Sequence, residues 1–361
     1  MDMKTDGFAK SLVFIPQAVS IALVAAAMSF GGSLFAAEAP SRHGALLGAK
    51  DTVMPEWFKE SFLDLEEDVA EAEEQGRRVI LYFHQAGCPY CNALIEDVFA
   101  LDEVERSIRA DFDVIEINIW GDREVLSLNG KAWTEKAFSA SLDVQFTPTL
   151  IFLGEKGEVV LRLNGYLPLQ EFNIALDFVK ERGYEKTTLR EFSRSKKTKP
   201  DGALDAMISA PFFLSPPYDL TRAEGAKPLA VFFERPSCKR CEDFHRGPIA
   251  LDETRGLLAG FDVVQIDTES DRLLVTPEGE RVQSSKWAKR LNIIYTPTVV
   301  LFDAEGKEVI RSEAFFKSFH VQSMLDYVLS DAWVGEPRFQ RYISSRADAI
   351  RAQGIDVDIW R

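Results

Sequence analysis

The chain has 361 residues, of which 46% are hydrophobic and 27% charged, and this length suits about two globular domains of roughly 100–200 residues each. Its formal net charge of −15 repels phosphate backbones, so a nucleic acid is not expected as a partner. All four cysteines lie in two C-x-x-C pairs, which excludes a scaffold held together by structural disulfides.

The N-terminal segment has the order of a secretory signal. Lys4 and Lys10 precede an uncharged, largely apolar run over 11–37, and small residues collect towards its end. We expect 1–37 to be a cleaved signal peptide and the protein to reach a bacterial periplasm, where disulfides persist. An uncleaved membrane anchor is the alternative, because the run is long enough to span a bilayer, although Pro16 interrupts it.

An internal repeat organises the rest of the chain. Several segments recur 149 or 150 residues later, an offset that chance similarity does not maintain. The recurring pairs are ALDE at 100–103 and 250–253, FDVIEI at 112–117 and FDVVQI at 261–266, and FTPT at 146–149 and YTPT at 295–298. We infer a duplicated domain, with copies over 50–185 and 203–335.

Each copy predicts the same series of elements. In chain order these are an amphipathic helix over 56–76 with Phe58, Phe62, Leu65 and Val69 on its apolar face, a buried strand over 78–84, a helix after the first C-x-x-C, a strand over 112–118, a helix around 133–142, a strand after Pro148, a hairpin at 154–158 and a closing helix over 169–181. Alternating strands and helices, with one hairpin, predict an α/β fold. The expected architecture is two tandem domains, each a central mixed sheet flanked by helices.

Two further segments lie outside the repeat. Residues 186–202 are basic and polar and are expected to link the two copies. Residues 336–361 predict a C-terminal helical extension with an apolar end, packed onto the second domain.

The first C-x-x-C pair, Cys88 and Cys91, follows a predicted strand and opens a predicted helix. Unpaired N–H groups and the dipole at a helix N-terminus favour an anion, so the Cys88 thiolate should form readily. We expect Cys88 to attack a substrate disulfide and Cys91 to resolve the mixed disulfide. Cys238 and Cys241 are expected to have the same roles in the second copy.

Other uses of a C-x-x-C pair fit less well. Tetrahedral zinc needs two more ligands, which neither copy supplies nearby, and an iron–sulfur cluster needs four cysteines. A c-type haem needs histidine after the second cysteine, where Asn92 and Glu242 stand. Neither a metal nor another cofactor is therefore expected.

A Thr-Pro pair follows each C-x-x-C by about sixty residues, as Thr147-Pro148 and Thr296-Pro297. Together with the strand, C-x-x-C and helix, this pattern resembles the thioredoxin superfamily, and within it the periplasmic proteins of the SoxW kind. The resemblance implies that both prolines are cis and lie beside the redox pairs. It also implies that Thr147, Pro148, Thr296 and Pro297 contact an extended substrate peptide.

The central residues of the two pairs differ in charge. Pro89 and Tyr90 are neutral, and Tyr90 is expected to present its ring to a substrate at the site opening, or else to be partly packed. Lys239 and Arg240 place two cations beside Cys238, which would lower its pKa and make the second pair the stronger oxidant. The alternative is that both cations are merely solvated.

The sequence departs from the thioredoxin pattern in two places. Tyr82 and Phe232 stand where the family has a buried aspartate that assists proton transfer, which leaves solvent, His84 or Glu234 as routes. The second copy has Gly-Pro at 247–248, which should shorten its active-site helix.

The resemblance implies a periplasmic thiol–disulfide oxidoreductase that reduces disulfides of exported proteins. Its electrons would come from a membrane thiol carrier of the CcdA or DsbD type, in support of sulfur oxidation or cytochrome maturation. A disulfide oxidase or isomerase is an alternative within the same class. A chaperone or substrate-binding module with a non-catalytic second domain is an alternative of another class.

Overall fold

The computed structural model describes residues 42–196, 206–313 and 316–361. The predicted signal peptide over 1–37 and the end of the predicted linker lie outside these ranges. Within them, no helix is both long enough and apolar enough to cross a membrane.

The first domain is built on a four-stranded mixed sheet in the order β3-β2-β6-β7. Its strands are β2 (Arg78–His84), β3 (Phe112–Asn118), β6 (Thr149–Leu153) and β7 (Val159–Asn164), preceded by a short β1 (Leu46–Leu47) that lies outside this sheet. β2 pairs parallel with β3, and the other two pairs are antiparallel. The interior of β2 is buried on both faces, which explains its continuous apolar run. The predicted central mixed sheet is confirmed.

Helices flank this sheet on both faces. They are α1 (Leu65–Glu74), α2 (Pro89–Leu94) with a π-helical turn (Ile95–Phe99), α3 (Asp102–Asp111), α4 (Glu135–Ser141) and α5 (Leu169–Lys180). A small hairpin of β4 (Glu124–Leu126) and β5 (Ala132–Thr134), which the pattern did not predict, precedes α4.

The first predicted helix is shorter than expected. It begins at Leu65, where the Asp64 side chain accepts from the Glu67 N–H, and Leu63 just before it has a positive φ of 63°. Phe62 is 100% exposed, so its predicted place on the apolar face is wrong. Because Asp64 is the N-cap, the helix begins only at Leu65, three residues after Phe62.

The second domain repeats the fold of the first. Its sheet has the order β13-β12-β8-β9. The strands are β8 (Leu229–Glu234), β9 (Asp262–Asp267), β12 (Thr298–Phe302) and β13 (Glu308–Ser312), with a small hairpin of β10 (Leu273–Val275) and β11 (Arg281–Gln283). The helices are α7 (Lys239–Arg246), α8 (Asp252–Leu258), α9 (Ser284–Arg290) and α10 (Ser318–Leu329). α7 ends before Gly247, and a separate 3₁₀ turn follows (Pro248–Ala250), so the expected shortening of this helix is confirmed.

The described part of the predicted linker contains a helix, α6 (Leu189–Lys196). Phe192 packs against Phe178 of the first domain at a ring distance of 5.3 Å. Arg190 donates to the Thr268 carbonyl of the second domain at 2.9 Å. The segment therefore contacts both domains instead of only connecting them.

The C-terminal extension also contacts both domains, which the sequence did not indicate. It follows α11 (Ala332–Gly335) and contains α12 (Phe339–Ala352) and β14 (Val357–Asp358), and β14 pairs parallel with β1. Phe339 in α12 packs against Tyr327 of the second domain and Phe146 of the first. The extension thus packs onto the second domain, as expected, and also onto the first.

Candidate functional site

Both C-x-x-C pairs lie at the N-terminus of a helix. Cys88 caps α2, where its sulfur accepts from the Cys91 N–H at 3.1 Å, and Cys238 caps α7 in the same way with Cys241, also at 3.1 Å. Each pair forms a disulfide, and all four residues are buried. A sulfur in this position, once reduced, is stabilised as a thiolate by the N–H group and the helix dipole.

The two Thr-Pro pairs lie beside the disulfides. The peptide bonds between Thr147 and Pro148 and between Thr296 and Pro297 are cis. The carbonyl oxygen of Thr147 is 3.5 Å from the Cys88 sulfur, and its hydroxyl oxygen is 3.4 Å away. The corresponding distances from Thr296 to the Cys238 sulfur are 3.7 and 3.6 Å. The chain thus brings each threonine to its redox pair, as the resemblance to the thioredoxin superfamily implied.

Comparison with known families gives one decisive match. The model of the thioredoxin-like domain matches residues 65–180 and again residues 218–329, together more than half of the chain. The chain belongs to the thioredoxin-like domain family. Both matched segments contain one C-x-x-C pair and one Thr-Pro pair, so the two domains are thioredoxin-like domains in tandem.

Three of the solved structures similar to this chain each match about the length of one domain. A thioredoxin-fold protein from Helicobacter pylori is 21% identical, with 36% of this chain and 97% of that chain covered and a TM-score of 0.30. A thioredoxin from Thermus thermophilus is 31% identical over 33% of this chain and 86% of that one, with a TM-score of 0.27. The C-terminal domain of DsbD from Neisseria meningitidis is 15% identical over 32% and 92%, with a TM-score of 0.25. No curated protein matches the chain.

Tyr90 does not lie at an open site entrance. Its side chain is 3% exposed, and its ring packs against Phe316, His320 and Trp360 of the second domain and the C-terminal extension. Its hydroxyl accepts from the Lys317 N–H at 2.9 Å, and burial raises the pKa of Tyr90. The expectation that Tyr90 presents its ring to a substrate at the opening is wrong for this arrangement.

The second pair is covered in a related way. Arg240 forms an ion pair at 2.6 Å with Glu171 of α5 in the first domain. Arg240 occupies the position of Tyr90, 150 residues later, and Glu171 occupies that of His320, 149 residues earlier. In each domain, the residue before the second cysteine therefore contacts the last helix of the other domain: Tyr90 contacts α10, and Arg240 contacts α5.

One contact joins two residues at the same position of the repeat. Asn164 donates to a carboxylate oxygen of Glu313 at 2.7 Å, and these residues are 149 positions apart, at the ends of β7 and just after β13. A contact between equivalent residues is expected on a two-fold axis. The two domains thus meet with approximate two-fold symmetry, and their redox faces form the interface.

The cations of the second pair have carboxylate partners. Besides the pairing of Arg240 with Glu171, Lys239 pairs with Asp243 on the same helix. These acids oppose the positive potential that the two cations place on Cys238. With these acids paired to Lys239 and Arg240, the two redox pairs differ less in local charge than their central residues alone suggest.

The candidate proton routes lie in different places in the two domains. The Tyr82 hydroxyl donates to the Cys91 carbonyl at 3.3 Å, whereas His84 pairs with Glu116 at 2.5 Å and lowers the pKa of that carboxyl. In the second domain, buried Glu234 contacts His245 at 2.8 Å.

Sequence reasoning missed His245. It lies four residues after Cys241 in α7, so it shares a helix face with that cysteine. That i, i+4 spacing was a signal that could have identified it. Among the described residues, no cluster of three or more His, Cys, Asp or Glu side chains is placed to hold a metal ion.

His320 makes the interface sensitive to acid. Burial lowers the pKa of His320 to about 4 from its ordinary value of 6.5. Between those values the unfolded chain binds a proton that the folded chain does not, so the free energy of unfolding falls as the pH drops through this window. A His320→Gln variant should avoid this loss, which we expect to be about 3 kcal/mol between pH 7 and pH 4.

Urea unfolding of the wild type and the variant at pH 7, 5 and 4 measures this difference. His43→Gln, at an exposed histidine, is the matched control and should follow the wild type. Equal acid sensitivity of the wild type and His320→Gln would show that His320 is not the group responsible.

Proposed function

We propose that this protein is a periplasmic thiol–disulfide oxidoreductase that reduces disulfides of exported proteins. The observation that carries the proposal is the Cys88 sulfur at the N-terminus of α2, bonded to Cys91 and beside the Thr147 carbonyl. Membership of the thioredoxin-like family supports the reaction class. The reducing direction and the periplasm rest on the resemblance to the SoxW kind and on the predicted signal over 1–37.

The proposed reaction is two successive thiol–disulfide exchanges. The reduced Cys88 thiolate attacks one sulfur of the client disulfide, forms a mixed disulfide and releases the other client sulfur as a thiolate, which takes up a proton. Cys91 then loses its proton and attacks Cys88, releasing the second client thiol. The client gains two electrons, and the protein is left with the Cys88–Cys91 disulfide seen in the structure.

A new cycle requires a thiol donor that reduces this disulfide. We propose a membrane thiol carrier of the CcdA or DsbD type for this step, on the resemblance alone. Cys238 and Cys241 have the same local geometry and are proposed to exchange electrons in the same way, with Lys239 and Arg240 at the contact surface. A protein client reaches Cys88 when α10 and the C-terminal segment that contains Trp360 separate from Tyr90, which they cover in this structure.

A Cys91→Ser variant should trap the client. Without the resolving thiol, the mixed disulfide on Cys88 persists, so a covalent complex should accumulate in periplasmic extracts and disappear on addition of a reductant. Non-reducing gels and mass spectrometry identify the partner and the linked cysteine. Cys88→Ser is the control and should trap nothing through the first pair. Failure of Cys91→Ser to form any mixed disulfide would contradict the proposed exchange at this site.

A further inference from the structure

A small pocket lies against the first redox pair. Its volume is about 150 Å³, and it lies between the first domain, the second domain and the C-terminal extension. Cys88 and Thr147 form one wall, and Phe316, His320 and Ile343 form the opposite one. Tyr90 lines the pocket and is itself buried, so in this closed arrangement the pocket offers a small molecule, but not a peptide, a way to reach Cys88.

The size of the pocket limits what it holds. Its volume is well below the roughly 300–1,000 Å³ of sites for drug-sized ligands. A polypeptide segment with side chains does not fit. Its rim includes the exposed residues Leu46, Ala49 and Ser344, so a small molecule can enter from solvent.

The lining is uncharged. Among the described residues around the pocket there is no Asp, Glu, Lys or Arg, although 27% of the chain is charged. Two titratable rings line it, and both are neutral at neutral pH, because burial lowers the pKa of His320 and raises that of Tyr90. Its polar lining residues Gln85, Gln340 and Ser344 are uncharged and hydrogen-bond to protein groups: Gln85 to Gln340, Gln340 to the Gln145 carbonyl and Ser344 to the Gln340 carbonyl. A charged substituent would lose its hydration without gaining a counter-ion.

We propose that this pocket binds a small, uncharged thiol, which reduces the Cys88–Cys91 disulfide while the two domains stay closed. This step rests on the proposed function and names a donor for it. The first small molecule enters as the neutral thiol, and its sulfur attacks Cys88, forms a mixed disulfide and releases the Cys91 sulfur, which takes up the proton that the small thiol loses. A second molecule attacks the small-molecule sulfur of that mixed disulfide. The products are one small disulfide and the reduced Cys88 and Cys91.

Three two-carbon thiols test this selectivity on the wild-type protein. The probes are 2-mercaptoethanol, mercaptoacetate and cysteamine, which are uncharged, anionic and cationic, at equal thiolate concentrations. Quenching by alkylation, followed by peptide mass spectrometry, gives the reduction rate of each disulfide in the same reaction. The Cys238–Cys241 pair, with two cations beside it, is the internal reference.

At Cys88–Cys91, 2-mercaptoethanol should be favoured over each charged thiol by about tenfold relative to the same ratio at Cys238–Cys241, in the range by which a pocket rejects a mismatched small group. Equal ratios at the two disulfides would overturn the proposal.

Two neighbouring serines in α12 allow an effect of filling the pocket to be distinguished from a general effect of substitution in this helix. Ser344 lines the pocket and Ser345 does not, and both are exposed. Ser344→Trp should slow reduction of Cys88–Cys91 by 2-mercaptoethanol by about tenfold, because the indole fills the pocket, whereas Ser345→Trp should react like the wild type. Equal rates for the two variants would also overturn the proposal.

These results are distinct from those that test the proposed function. If the thiol ratios are equal but Cys91→Ser still traps a protein, the small-thiol pocket is wrong and the oxidoreductase stands. If Cys91→Ser traps nothing while the pocket selects 2-mercaptoethanol, the protein-disulfide substrate is wrong and the pocket stands.

Discussion

In a protein whose second pair is already inactivated by Cys238→Ser, replacing Cys88 by serine should lower the rate of insulin disulfide reduction by about three orders of magnitude, the scale of effect seen when a catalytic nucleophile is removed. A serine hydroxyl stays protonated at neutral pH and does not attack a disulfide, whereas the Cys88 sulfur lies where a helix N-terminus stabilises its anion. The assay uses the full chain with dithiothreitol as electron donor and follows insulin precipitation.

The second pair provides the matched variant. Cys238→Ser changes the same atom at the same helix position, 150 residues later, so any general effect of the substitution on the fold is shared. We expect Cys238→Ser to keep most of the insulin activity, because the first pair retains more of the thioredoxin pattern. A loss in Cys238→Ser with full activity in Cys88→Ser would assign turnover to the second pair. If the variant with both Cys88→Ser and Cys238→Ser reduced insulin at the same rate as the wild type, the cysteines would not catalyse the reaction, which would favour a binding module over an enzyme.

The parts of the fold set by local sequence were predictable. The short, continuous apolar run over 78–84 is typical of a strand that is buried on both faces of a sheet. The repeat predicts the same buried strand at 229–234. The position of each C-x-x-C at a helix N-terminus followed from the strand before it and the helical pattern after it. Gly247 and Pro248 likewise ended α7 for reasons that involve only their own backbone.

The parts set by contacts between distant segments were not predictable from one sequence. Nothing near Tyr90 indicates that Phe316 and His320, more than 200 positions later, cover its ring. The same holds for Arg240, whose ion pair with Glu171 depends on how the two domains meet. A duplicated domain predicts two similar faces, but it does not say that those faces bind each other.

A smaller error came from extending a periodic pattern too far. Phe62 fits the spacing of an apolar helix face, yet it lies before the capping residue Asp64 and is fully exposed. The backbone at Leu63 has a positive φ, which breaks the helical path before α1 begins. Here the N-cap residue, and not the spacing of apolar residues, determines where the helix begins. Asp64 as the N-cap predicts the observed first residue of α1, Leu65.

Phe339→Ala should destabilise the protein strongly and uncover the first redox pair. Phe339 is 0% exposed and lies between Phe146 of the first domain and Tyr327 of the second, with ring distances of 5.4 and 5.3 Å. Removing a buried phenylalanine ring costs about 3–5 kcal/mol through lost burial and the cavity left behind. Urea unfolding followed by tryptophan fluorescence measures the change in the free energy of unfolding.

Phe62→Ala is the control for this prediction, since it makes the same substitution at a fully exposed ring and should change stability by less than about 0.5 kcal/mol. A second readout follows from position: Phe146 directly precedes Thr147, which contacts the Cys88 sulfur. Loosening α12 should therefore speed reduction of Cys88–Cys91 by glutathione, which is too large for the closed pocket. If Phe339→Ala lowered stability but left this rate unchanged, α12 would stabilise the fold without controlling access to Cys88.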